Sequence, residues 1–412
     1  MTLDSFSQHC PNPYFSERGG ELLIGGQPVM QLVRAAGRTP FYAYDRGVMS
    51  QKVRELRACL PAGIELHYAI KANPMPEVVQ HLAGLVDGLD VASAREMQVA
   101  LATRVNPVEI SFAGPGKSPA ELEAAVAAGI VINMESELEM RRIAAIAART
   151  GSRPKVAVRV NPDFELKSSG MKMAGGPKQF GVDAERVPDL LRELGKLPLE
   201  FWGFHIFCGS QNLRADILVE AQRKSADLAL HLATLAPGPV RLLNLGGGFG
   251  VPYFPGEKPL ELAPIGDSLR ELLPRIRDRL PQAHVVLELG RFLVGESGVY
   301  ICRIIDRKVS RGQVFLVTDG GLHHHLAASG NFGQVLRKNY PVLIANRIGS
   351  ASREIASVVG PLCTPLDLLA DRMELAQAQV DDLVAVFQSG AYGLTASPLG
   401  FLSHPPPAEI IV

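Results

Sequence analysis

The sequence predicts an α/β protein built as a (β/α)8 barrel joined to a C-terminal β-domain. Three observations carry that expectation. Between residues 65 and 290, short apolar, β-rich runs alternate with stretches of helical spacing, the pattern of a parallel sheet covered by helices. There are eight such runs over about 225 residues, the number and length that close a barrel. After residue 295 the helical spacing gives way to runs that alternate or stay apolar.

The eight runs are 66–70, 89–93, 109–113, 130–134, 156–160, 201–207, 241–245 and 285–289. At five to seven residues each they have strand length, not helix length. Between them, 119–128, 137–149 and 215–235 have helical periodicity. An open doubly wound sheet shares this alternation, so the placement of polar residues decides. Lys71, Asn73, Ser93, Gly114, Asn133, Arg159, Asn161, Gly209-Ser210-Gln211, Gly246–Gly248, Glu288 and Arg291 all lie at or just after the ends of the runs. A barrel gathers such residues on its C-terminal rim, where barrel enzymes build their chemistry. The later runs, 298–306, 313–318, 354–359 and 383–388, read as a β-sandwich or β-barrel-like domain. The expected boundaries are 40–292 for the barrel, with 1–39 and 293–412 forming the second domain.

The chain has 412 residues and 42 basic against 42 acidic side chains. That balance excludes an overall basic field for nucleic acid, and 47% hydrophobic residues exclude intrinsic disorder. No 18 apolar residues run together, so no membrane span is expected. The five cysteines, at 10, 59, 208, 302 and 363, have neither C-x-x-C nor metal-ligand spacing. With no secretory leader at the start, a reduced cytoplasmic setting is expected.

Several residues suit chemistry. Lys71 ends an apolar strand, where desolvation would free its amine for a Schiff base; alone it reads as a rim lysine reaching water. Gly246-Gly247-Gly248-Phe249-Gly250 could converge backbone N–H groups on an anion, or simply form a tight turn. It lacks the last glycine of a dinucleotide fingerprint and the Gly-Lys-Ser/Thr of a P-loop. Glu288 could hold a proton on a heteroaromatic nitrogen, and Arg291 could bind a carboxylate or phosphate through two bonds. Gly290 between them would allow close backbone approach. His205 and Phe207 share a strand face, so either could stack on a flat ring, with Ser210 adding a hydroxyl. Cys363 stands in Gly360-Pro361-Leu362-Cys363-Thr364-Pro365-Leu366-Asp367. His323-His324-His325 is not expected to bind metal, because consecutive residues do not converge on one ion.

Five motifs then stand in order: Tyr68-Ala69-Ile70-Lys71-Ala72-Asn73, Gly246-Gly247-Gly248, Glu288-x-Gly290-Arg291, Gly360-Pro361-x-Cys363 and Gly390-Ala391-Tyr392-Gly393. Together they resemble the pyridoxal 5'-phosphate (PLP) decarboxylases of the alanine-racemase-like fold, the fold-type III group with diaminopimelate and ornithine decarboxylases. The resemblance implies a PLP-binding (β/α)8 barrel plus a β-domain, and a homodimer with active sites at the interface. It implies that Lys71 carries PLP as a Schiff base. Gly247, Gly248, Gly290, Arg291 and Ser210 would surround the phosphate, and Glu288 would pair with the pyridine nitrogen. Asp90, Arg159 and Tyr392 match further cofactor-contacting positions, and Cys363, from the partner subunit, would protonate Cα after CO2 leaves. Arg291, Thr364, Asp367 and Tyr392 are the expected substrate-binding residues.

Two departures bear on function. The family's ring-stacking histidine corresponds to Phe207, leaving open whether His205 or Phe207 covers the ring. Relatives acting on diamino substrates carry an acidic residue after the cysteine, where this chain has Thr364. The texture around 169–181, with Lys172 and Lys178, and around 205–212 looks most like an exosortase-associated and carrier-protein-glutamate decarboxylase subgroup. The expected activity is therefore α-decarboxylation of an amino acid or an acyl-carrier-protein-bound amino-acyl group. Diaminopimelate decarboxylation and a catalytically silent regulatory role are the alternatives.

Overall fold

The computed structural model describes residues 2–3, 9–164, 171–172 and 175–412. The chain divides into two compact units, Lys52–Gly250 with Leu260–Gly290, and Met1–Gln51 with Val251–Pro259 and Arg291–Val412.

Eight strands of the first unit form its barrel: β1 (Ile64–Ala69), β2 (Gly88–Val91), β3 (Ile110–Phe112), β4 (Val131–Met134), β5 (Lys155–Asn161), β6 (Glu200–His205), β7 (Leu242–Gly247) and β8 (His284–Leu289), with the short strand Val182–Asp183 added in parallel beside β5. Each of the eight pairs in parallel with the next. β8 pairs in parallel with β1, Val285 opposite Ile64, and the ring is closed. All eight runs marked in the sequence fall on these strands.

Local chemistry sets the helix starts. Ser118 caps the helix Pro119–Ala128 by accepting from the Glu121 N–H, and Glu121 answers on the Ser118 N–H, a reciprocal capping box. Ser93 and Ser136 cap Ala94–Leu101 and Glu137–Thr150 in the same way. Side chains alternate along each strand, and the inward faces meet in a buried layer of Val131, Ala157, Leu242 and Val286 with Trp202 against it. On β6, Gly203 has φ +150° and a Cβ there would lie 1.8 Å from the Leu242 carbonyl. Only glycine permits that approach, and the β5–β6 register shifts beside it.

The second unit is mostly β. Gly298–Ser310 is its spine, pairing with Gln313–Thr318, Leu383–Val386 and Phe41–Tyr44. Phe41–Tyr44 also takes Ala408–Ile411 as a parallel neighbour. Arg353–Val359 and Leu368–Ala376 extend the sheet. Phe15, Leu22, Ile24, Phe41, Ile301 and Phe387 belong to one buried core there. Among the described residues, no helix is long and apolar enough to cross a membrane.

Candidate active site

In the barrel unit, β1 ends at Ala69 and the chain makes a single 3-10 turn, Ile70–Ala72, which turns Lys71 into the C-terminal mouth. Lys71 Nζ lies 2.9 Å from Glu288 Oε1, with the lysine 43% exposed and the carboxylate 3%. His205 Nε2, from the end of β6, is 3.1 Å from the other oxygen, Glu288 Oε2. Burial pushes the Glu288 carboxyl up, but the Lys71 ammonium and His205 outweigh it and hold the carboxyl well below the usual range. Phe207 lies beside the lysine, Nζ being 5.7 Å from its ring centre.

The glycine turn follows β7. Gly246 and Gly248 have φ of +71° and +81°, the left-handed region that disfavours side chains. A Cβ on Gly247 would sit 1.9 Å from the Glu288 carbonyl, and one on Gly248 2.2 Å from that of Gly209. The bare backbone thus packs directly against β8 and against Gly209–Ser210, whose strand pairs with Met171–Lys172. Gly290 lies over the lysine turn, where a Cβ would come within 2.9 Å of the Ala72 methyl.

Asp90 on β2 is buried with its Oδ1 taking the Ser111 hydroxyl and facing His67 Nδ1 at 3.5 Å. Arg159 on β5 is buried against Glu135, Nη1 to Oε1 2.8 Å, with its guanidinium 5.0 Å from the Phe180 ring centre. Glu135 also accepts from the N–H groups of Gly114 and Gly181. Burial opposes its ionisation, but the Arg159 and Lys117 charges prevail and keep the carboxyl below its ordinary value. Lys117 donates to Glu139 and to the Asn133 carbonyl. Glu135, Lys117 and Glu139 belong to no motif, and the sequence reading missed them. The signal available was that Glu135 directly follows β4, the position that carries chemistry on other strands. Of the 169–181 segment, residues 169–170 and 173–174 lie outside the described residues, as does the Lys172 side chain.

In the second unit, Arg291 donates to the Tyr253 hydroxyl at 2.9 Å and lies 4.7 Å from the centre of the Tyr392 ring. Tyr392 holds φ +53°. The Arg291 Nε is buried without a hydrogen-bond partner, so this guanidinium has donor capacity left for an anion. Tyr253 was also missed by the sequence reading. Cys363 is free and exposed in the loop between Arg353–Val359 and Leu368–Ala376. The Thr364 hydroxyl accepts from the Leu366 N–H at 3.3 Å. Asp367 is turned inward, accepting from the Leu322 and Leu362 N–H groups at 2.6 and 2.8 Å. The three consecutive histidines share no hydrogen-bond partner: His324 Nε2 meets the Pro405 carbonyl, His325 Nε2 meets Ser389, and His323 makes no hydrogen bond, its ring packing on those of His324 and His404 with centres 3.7 and 5.1 Å away.

The barrel unit fits PLP by its donor set. It holds an amine, a carboxylate kept ionised beside it, two flat side chains at the same mouth, and a turn from which side chains are sterically excluded. Residues 46–295 match the family described as the pyridoxal-dependent decarboxylases, over its pyridoxal-binding domain. The chain is 38% identical over 379 residues to an L-glutamyl-[BtrI acyl-carrier protein] decarboxylase from Niallia circulans, covering 90% of this chain and 88% of that one. It is 31% identical over 404 residues to a diaminopimelate decarboxylase from Aquifex aeolicus, covering 97% and 93%. Diaminopimelate decarboxylase from Helicobacter pylori, solved with L-lysine, superposes with a TM-score of 0.82 at 27% identity, over 93% of this chain and 94% of that one. The chain belongs to the fold-type III PLP-dependent decarboxylases, and it is a carboxy-lyase whose cofactor is PLP.

Proposed function

We propose that this decarboxylase removes the α-carboxylate of a glutamyl group presented on an acyl-carrier protein. The observation that carries this reading is the character of the Cys363 loop. Thr364 supplies no charge, and the only carboxylate between 360 and 367, Asp367, is taken up by two backbone N–H groups. A free diamino acid would leave its distal ammonium without a counter-charge from this loop. A carrier-bound glutamyl group has no such ammonium, and the 38% identity to a carrier-protein glutamate decarboxylase supports the same choice.

PLP, when bound, delocalises the electron pair left at Cα as CO2 departs. In this proposal Lys71 Nζ holds the cofactor covalently, and Glu288 holds a proton on the pyridine nitrogen. His205 keeps the Glu288 carboxylate ionised and oriented, while Phe207, beside Lys71, would supply a flat face for the ring. Ser210, Gly247, Gly248, Gly290 and Arg291 bind phosphate. Asp90, Arg159 and Tyr392 complete the cofactor's surroundings, with Tyr392 and Arg291 also bordering the substrate. Cys363 Sγ donates the proton to Cα. We place it in a homodimer, each protomer's thiol serving the partner's barrel, in the cytoplasm.

The test is CO2 release by the PLP-loaded protein from glutamyl-carrier protein, free glutamate and diaminopimelate. Turnover of the carrier-bound substrate, at least tenfold above either free amino acid in kcat/KM, is expected. Preferential turnover of diaminopimelate would overturn the substrate assignment. Lys71→Ala should lose both the visible cofactor absorbance and all CO2 release. Cys363→Ala should retain the absorbance and lose normal product, and unchanged turnover there would remove the thiol from the reaction.

A further inference from the structure

The barrel has a second polar end. On β8 the inward residues run His284, Val286, Glu288, and on β1 Glu65 and His67 share one face, so the apolar layer around Val286 separates the Lys71 mouth from the N-terminal end. At that end Glu65, His67 and Glu109 each offer a ligand atom, and the three atoms lie within 4.8 Å of one another.

His67 is 3% exposed, and its Nε2 has no hydrogen-bond partner. Its Nδ1 faces the Asp90 carboxylate at 3.5 Å. That carboxylate–imidazole arrangement, with the far nitrogen left over, is how metal-binding histidines are oriented and made more basic. Gly88 makes the position possible, since a Cβ there would meet His67 Nε2 at 2.4 Å. His284 Nδ1 is 2.5 Å from Glu65 Oε1 and fixes that carboxylate. His67, Glu109 and His284 line a cavity of about 310 Å3 with Ser111 and Trp202. Arg241 also borders it, but its guanidinium is engaged by Glu200 and lies 5.8 Å from the centre of the Trp202 ring.

We propose that Glu65, His67 and Glu109 bind a divalent transition-metal ion at the N-terminal end of the barrel, with cavity water completing the shell. One imidazole with two carboxylates suits zinc and its first-row neighbours; calcium and magnesium prefer oxygen-only shells. Ligands about 2.1 Å from a tetrahedral ion stand about 3.4 Å apart, so the trio closes with shifts of about an ångström. The ion would tie the start of β1 to the segment entering β3. The ion takes no part in the decarboxylation chemistry, although Asp90, which faces His67, is also among the proposed surroundings of the cofactor.

The experiment is calorimetric titration of zinc chloride into chelator-treated, PLP-loaded enzyme. One ion per chain is expected, with magnesium failing to compete. Glu65→Gln and Glu109→Gln should each weaken binding at least tenfold while leaving the cofactor absorbance unchanged. Absence of zinc binding to the unaltered enzyme, or an affinity in both variants unchanged from that of the unaltered enzyme, overturns the proposal. Anomalous scattering from zinc-soaked crystals of the unaltered protein tests it without any variant. A peak beside His67 Nε2 supports it, and zinc found only elsewhere rejects it.

Discussion

Glu288, itself almost closed to water, meets two bases, the part-exposed Lys71 Nζ on one oxygen and the buried His205 Nε2 on the other. A carboxylate so held gives up its own proton readily and stabilises one on a neighbouring base, the property a pyridinium partner needs. The second buried pair, Arg159 with Glu135, shows the same logic away from the lysine. Glu135→Gln preserves shape but leaves Arg159 buried without its counter-charge. Removing one partner of such a pair costs about 3–5 kcal/mol. Chemical denaturation should register a loss in that range, together with weaker PLP retention. A loss below about 1 kcal/mol would mean that water or Phe180 already compensates the guanidinium. Neither Glu135 nor Lys117 could be read from the sequence as a site residue. Their roles arise from contacts 24 and 22 residues away, and no local spacing encodes those.

At the scale of elements, the glycine turn after β7 is a steric device before it is a binding one. Gly247→Ala would drive a methyl into the Glu288 carbonyl, 1.9 Å away, and force β7 from β8. Overpacking of this kind costs about 1–3 kcal/mol or more, and here the displaced strand carries Glu288. Gly256→Ala is the control, because Gly256 has φ +80° but nothing within 4 Å of its Cβ. The first variant should lose PLP affinity at least tenfold and the second should keep it, as fluorescence titration would show. Equal behaviour would reduce the turn to a conformational requirement alone. The strands themselves were legible because each is a short apolar run, most of them closed by Gly, Asn or a charge. The helix Pro119–Ala128 was legible to the residue, its start written as Ser-Pro-x-Glu. Lys71 was expected at or just after a strand end, and it lies two residues past β1, in a 3-10 turn that the apolar run itself does not announce. Asp367 read as substrate-facing from its motif, yet two N–H groups from residues 322 and 362 capture it, a long-range competition invisible in one segment. The metal-ligand trio has no motif spacing either, and only closure of the ring brings His284 to Glu65.

Taken whole, the molecule should be sensitive to acid. His323, His324 and His325 are all buried. Burial pushes them down to about 3, 4 and 3 respectively. An unfolded histidine titrates near 6.5, so below that pH the unfolded chain binds protons that the folded chain refuses. Their contribution is complete above about pH 6.5 and is lost as pH falls towards 4, at about 1.4 kcal/mol per pH unit for each proton taken up. Denaturant midpoints should therefore drop steeply between pH 6.5 and 5, and more gently in His323→Phe. A midpoint flat across that interval would contradict the buried, neutral state of the triplet.

The ring closes on itself only when β8 reaches β1, and Val285 opposite Ile64 spans 221 positions of chain. The other unit is in the same position, since Phe41–Tyr44 waits for Ala408–Ile411. At synthesis rates of about 5–20 residues per second, β1 stands with an unpaired edge for roughly 10–45 seconds. Both units are thus completed from their far ends, and the nascent chain carries exposed, apolar strand edges for most of its time on the ribosome.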